Sequence, residues 1–167
     1  MTAQIAERLH FEGREVAMCV EPLHDFFELS GQQQPKFAFD NTALWRRYVG
    51  TWEIREGRLY LIALSGTLED GSIANVATIF PDFPERVFAH WYSGTLRLPQ
   101  GKLLRYVHLG YGSVYEADLQ IAIEKGVVTQ SRVNSNGVSG DQGGPDGYSV
   151  GGMTVFAPPS KNTSSPR

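Results

Sequence analysis

One cysteine, Cys19, is present in 167 residues. An intrachain disulfide is therefore excluded, and so is a metal site built from several thiolates. Positive charge is also in short supply: 15 Lys and Arg stand against 18 Asp and Glu, a formal net charge of −3. General nucleic-acid coating draws on a surplus of basic residues, so that class of activity is excluded. No apolar run reaches the roughly eighteen residues that a membrane-crossing helix needs, so no membrane association is expected. Residues 1–13 carry Glu7 and Arg8 and no apolar stretch. They read as a short leader without the features of a signal peptide, which with the lone thiol predicts a cytoplasmic protein.

Hydrophobic residues make up 41% of the chain, enough for a packed core, and glycine is abundant at 18 but unevenly spread. Residues 14–21 alternate, with Val16, Met18 and Val20 on one side, and read as a strand. Pro22 opens a short helix anchored by Phe26 and Phe27. Glu56-Gly57 is a two-residue turn between apolar alternations. The hairpin it predicts sets Ile54 opposite Leu59, Trp52 opposite Leu61 and Gly50 opposite Ala63. Residues 72–80 read as a further strand. Residues 86–98 and 102–111 read as a second hairpin around Pro99-Gln100-Gly101. Residues 115–123 form the cleanest alternation, and Lys125-Gly126 turns the chain into residues 127–133.

No sustained helical period appears, and turn signals recur at short intervals. The expected fold is mainly β: a single antiparallel curved sheet, barrel or sandwich of about seven or eight strands. It carries one short helix and occupies residues 14–133. From residue 134 onward seven glycines, from Gly137 to Gly152, and then Pro158-Pro159 change the composition, and residues 134–167 read as a flexible tail.

Two side-chain clusters stand out. If residues 98 and 102 flank a tight turn, Tyr92 falls opposite His108, with His90 and Tyr106 on the same face. Two imidazoles and two phenols suit general acid–base work near neutral pH, and equally suit the half-buried face of a sheet. Two histidines without a third ligand make no metal site, and no metal or cofactor is implied. The second cluster is Trp45, Arg46 and Arg47, with Arg58 and Arg105 contributed by the hairpins. Guanidinium groups beside aromatic rings suit a planar anionic ligand such as a nucleotide, and equally suit solvated strand positions. Trp52 reads as core because it faces Leu61. Cys19, in an apolar alternation with no adjacent histidine, reads as a structural thiol. Phosphate-loop, dinucleotide-loop, RNA-recognition and serine-elbow patterns all fail on spacing.

Gly50-Thr51-Trp52 resembles the Gly-x-Trp signature that opens the first strand of lipocalins and fatty-acid-binding proteins. That resemblance implies a β-barrel with a central ligand cavity. A longer block resembles one found in small uncharacterised bacterial β-domain proteins. It comprises Trp45-Arg46-x-Tyr48-x-x-Thr51-Trp52-Glu53-Ile54, then Leu59-Tyr60-Leu61 and Phe88-Ala89-x-Trp91-Tyr92-x-Gly94. It implies one domain and a bacterial or phage source, and no mechanism.

The expected function is a non-catalytic binding protein recognising a protein partner or a small anionic ligand. By analogy of size, a toxin-neutralising or defence-modulating role fits it. One rival is a small hydrolase or lyase using His90 and His108. Another is an assembly subunit, a homo-oligomer pairing through its C-terminal tail.

Overall fold

A computed structural model describes residues 3–39 and 41–136. The chain opens with a hairpin, β1 (Glu7–Phe11) and β2 (Arg14–Met18), reversed at Glu12 and Gly13, which both take positive φ. Such a two-residue reversal matches the natural twist of paired strands. Residues 7–11, within the stretch read as a leader, form β1 and belong to the sheet, with Glu7 and Leu9 wholly buried. Helix α1 (Pro22–Ser30) follows, with proline in its first turn and Gly31 closing it in the left-handed conformation.

Strands β3 (Val49–Arg55) and β4 (Arg58–Ser65) form the hairpin expected around Glu56-Gly57. Ile54 pairs with Leu59 and Trp52 with Leu61, as the alternation predicts. Gly50 pairs with Leu64 rather than Ala63, because a bulge between Thr51 and Trp52 shifts the register. The strand expected over residues 72–80 is instead a single turn of helix, α2 (Val76–Ile79). Asn75 and Thr78 exchange hydrogen bonds across its start at 3.2 and 3.0 Å, a capping box that outweighs the β-branched composition.

The expected hairpin around Pro99-Gln100-Gly101 does not form. A two-residue strand, β5 (Val87–Phe88), is followed by β6 (Gly94–Arg105), which runs straight through all three residues. Its partner is β7 (Val114–Glu124), with Leu96 opposite Ile121 and Leu98 opposite Leu119. An apolar alternation eleven residues long offers β6 more buried pairing than residues 102–111 can. Gly101, at φ 82, takes up the register shift between Gln100 and Leu103. Lys125-Gly126 then turns β7 into β8 (Val127–Ser135), as predicted. Because β8 reaches Ser135, the folded unit extends past residue 133; the rest of the expected tail, residues 137–167, lies outside the described residues.

The eight strands make one mixed sheet in the order β2-β1-β3-β4-β8-β7-β6, with β5 alongside β4. It is not wholly antiparallel, since β1 and β3 run parallel. Nor is it closed into a barrel. The outermost strands approach where the Cys19 N–H donates to the Arg97 carbonyl at 2.9 Å, but no ladder joins them. Of the expected forms, the single curved sheet is the one adopted. Its core gathers Leu9, Met18, Leu59, Leu61, Leu96 and Ile121 around buried Trp52. Trp91 stacks on Phe80 at 5.6 Å, lies 6.4 Å from Trp52, and donates its indole N–H to the Pro22 carbonyl, pinning α1.

Gly126 has φ 84, and a Cβ there would lie 2.7 Å from the Ala89 carbonyl oxygen; Gly57, at φ 75, has open space. Gly57→Ala is expected to lower unfolding stability by roughly 1–2 kcal/mol, the left-handed cost alone. Gly126→Ala adds a backbone clash and is expected to cost about 3 kcal/mol or more, read by urea denaturation of both variants.

Candidate functional site

β1 carries Glu7 into the interior, and the loop ahead of β3 brings Arg46 against it. The Arg46 Nε donates to Glu7 Oε1 at 2.9 Å. Its Nη2 lies 2.7 Å from the same oxygen, close enough for ion pairing but off the hydrogen-bond direction. The Gly50 N–H donates to Oε1 at 2.8 Å and the Trp52 indole N–H to Oε2 at 2.9 Å. A side chain at position 50 would collide with this carboxylate, which is why glycine precedes Thr51-Trp52. Burial pushes the Glu7 carboxyl up from its ordinary value, while Arg46 and the two N–H groups pull it down. Every neighbour that bonds it donates, so the site is built for the ionised form. Burial also opposes the charge on Arg46, but Glu7, Tyr111 and Glu21 more than restore it, and its proton is held above the usual range.

Tyr111 joins this ion pair to a second one. Its hydroxyl donates to Glu21 at 2.6 Å and accepts from Arg46 Nη1 at 3.1 Å. Its carbonyl accepts from Arg97 Nη1 at 2.5 Å. The Arg97 Nε donates to the buried Asp118 at 3.0 Å, and its Nη2 donates to the Ser113 carbonyl. Asn136 donates to the other Asp118 oxygen at 2.9 Å. Strand β7, which carries Glu116, Asp118 and Glu124, thus turns one of its carboxylates inward, onto an arginine. Burial, with the Glu21 hydrogen bond next, pushes the Tyr111 phenol well above its ordinary value.

Two concavities flank this network. One, of about 490 Å³, is lined by Lys36, Trp45, Arg46, Arg47 and Glu69 together with residues 34, 35 and 37. The other, of about 300 Å³, lies between β2 and β6 and includes Cys19, Arg97, Tyr106, Tyr111 and Tyr115. Burial pushes the Cys19 thiol up to about 11, in keeping with a structural thiol.

The arginine–aromatic cluster divides. Trp45 and Arg47 face the larger cleft, and Trp45 as a residue is 46% exposed. Arg46 reaches its wall but spends its charge on Glu7. Adjacent side chains part because Arg47 takes φ 68, which turns it over the Phe39 ring at 5.2 Å, with one N–H on the Phe37 carbonyl. Arg58 lies over Phe88 at the start of β4, and Arg105 is exposed at the end of β6; neither lines the cleft.

The histidine–tyrosine cluster divides too, because the hairpin that would have made it is absent. His108 packs edge-on against Tyr106 at 4.5 Å in the loop after β6. His90 instead meets Trp91 at 5.7 Å beyond β5. Tyr92 is buried, its phenol pushed up to about 12 chiefly by desolvation. Among the described residues no three His, Cys, Asp or Glu side chains are grouped to hold a metal.

Sequence reasoning missed Glu7, Glu21, Lys36 and Tyr111. Only Glu7 left a signal: it shares its strand face with Leu9 and Phe11, a carboxylate on an apolar alternation. No protein-family model, curated protein or solved structure matches this chain.

Glu7→Gln leaves the buried Arg46 charge with only the more distant, partly exposed Glu21 at 3.6 Å and is expected to cost about 3 kcal/mol in urea unfolding. Adding Arg46→Met removes that charge, so the double-mutant cycle is expected to be non-additive by about 1–3 kcal/mol. Independently, a thiol shifted from 9.0 to about 11 holds, at pH 8, about a hundredth of the usual thiolate fraction. Iodoacetamide is expected to label Cys19 far more slowly in the folded protein than in urea, with the folded rate climbing until the pH passes about 11.

Proposed function

We propose that this protein binds a small anionic, nucleotide-like ligand in the cleft formed by Lys36, Trp45 and Arg47, without chemical turnover. The observation that carries this reading is the division of labour between neighbouring arginines. Arg46 is neutralised by Glu7, whereas Arg47 and Lys36 stand on the cleft wall and form no ion pair among the described residues. Trp45, half-exposed on the same wall, supplies an aromatic ring beside them. Glu69 contributes one opposing charge, so a ligand places its anionic group toward Lys36 and Arg47 and away from Glu69. A volume of about 490 Å³ lies within the range of small-molecule sites.

Titration with ATP, ADP and inorganic phosphate, followed by tryptophan fluorescence and calorimetry, tests the reading. Binding is expected to weaken with salt. Arg47→Gln and Lys36→Gln are each expected to lower affinity about 10–100-fold, the scale of one charge-assisted hydrogen bond. Trp45→Phe is expected to abolish the fluorescence change while leaving heat. Arg58→Gln and Arg105→Gln are expected to change nothing. Absence of both heat and fluorescence change with all three compounds overturns the proposal.

A further inference from the structure

The smaller concavity, of about 300 Å³, shares no lining residue with the anion cleft. It lies at the seam where β2 and β6 approach without a ladder. Along β2 and just past its end, Met18 is core, with Val16 and Val20 packed against it, so Ala17 and Cys19 between them face the other way. Along β6 the core takes Leu96 and Leu98, and Arg97 and Pro99 face away. The segment between β6 and β7 covers this second face, where Arg97 reaches the Tyr111 and Ser113 carbonyls and stays buried. That cover is tied down. Val107 exchanges hydrogen bonds with the Ser113 hydroxyl at 2.9 and 3.3 Å, and the Gln4 N–H donates to the Gly110 carbonyl at 2.9 Å. Alanine or glycine stands at residues 3, 6, 17, 101 and 110 of the wall, and these small residues leave the space open.

Most polar groups of the wall are already engaged. Arg97 is its one charged side chain among the described residues, and Asp118 neutralises it at 3.0 Å. The Gln4 side chain donates to the Thr42 carbonyl and accepts from the Trp45 N–H. The Tyr111 hydroxyl is held between Arg46 and Glu21. The Tyr106 and Tyr115 hydroxyls bond to no other described residue, so they are the groups the wall still offers. An anion here is buried without a free cation to meet it, and a cation without a free carboxylate. A neutral molecule meets neither cost. Three tyrosines on the wall suit a flat ring, and the volume, at the lower end of small-molecule sites, suits one or two fused rings.

We infer that this cavity binds a small neutral aromatic compound bearing a hydroxyl or amide group, seated among Tyr106, Tyr111 and Tyr115 and hydrogen-bonded by the Tyr106 and Tyr115 hydroxyls. Its occupancy is independent of the anion cleft.

The probe is 2-naphthol, with 2-naphthoate as its charged counterpart. Calorimetry on the full chain at neutral pH is expected to show saturable binding of 2-naphthol that saturating ATP leaves unchanged, with 2-naphthoate weaker by about 10-fold or more. Ala17 is exposed, so Ala17→Phe fills the cavity from its rim and is expected to abolish binding with circular dichroism unchanged. Tyr106→Phe combined with Tyr115→Phe removes two neutral hydrogen bonds and is expected to weaken binding about 10–100-fold. Because Cys19 lines the cavity, saturating 2-naphthol is expected to slow its labelling by iodoacetamide. Absence of 2-naphthol binding, equal affinity for 2-naphthoate, competition by ATP, wild-type affinity in Ala17→Phe or in the tyrosine double variant, or Cys19 labelling indifferent to 2-naphthol would each overturn the inference.

Discussion

The Glu7 carboxylate, wholly buried, is the point on which the sheet is hung. It takes hydrogen bonds from Arg46, Gly50 and Trp52, three residues 39 to 45 positions away along the chain. A carboxylate removed from water is costly unless its lone pairs are met, and here the donors come from the strand beside it and the loop leading into that strand. The parallel pairing of β1 with β3 and the position of Arg46 are two aspects of one requirement. Gly50 has no side chain because the carboxylate occupies that space. Trp52 belongs to the core, yet its indole nitrogen belongs to the polar centre.

What was legible in the sequence follows how locally each feature is decided. The β3–β4 and β7–β8 hairpins depend on two-residue turns and on alternation read over a few residues, and both were expected. The strand β6 has a choice of partner, and that choice rests on apolar pairing with a segment more distant than the next one along. Pro99-Gln100-Gly101 carries turn composition but sits in a bulged strand. At α2, four residues were decided by the cap at Asn75 and Thr78 rather than by β propensity. β1 was overlooked because its second partner enters some forty residues later and because Glu7 gives it the look of a polar leader.

The site was legible in its residue types and not in its grouping. Trp45, Arg46 and Arg47 share a stretch of chain, but one positive φ sends the two guanidinium groups to different tasks. Arg58 and Arg105 depended on where their strands begin and end. His90 and His108 depended on a hairpin that does not exist, and the failure of that register separates them. Tyr111 gave no signal, because its role as a tie between the two buried ion pairs exists only after both have assembled.

The parallel contact between β1 and β3 also bears on the order of assembly. Each of the hairpins β1–β2, β3–β4 and β7–β8 closes over two residues and needs no other part of the chain to set its register. Joining β1 to β3 closes a loop of about forty residues, and its entropy must be met before any burial there is gained. The same step strips water from Glu7 and Arg46 together. Forming the parallel pair therefore carries a larger loop-closure cost than closing any of the three hairpins, and the buried charge pair is satisfied only in the correct alignment.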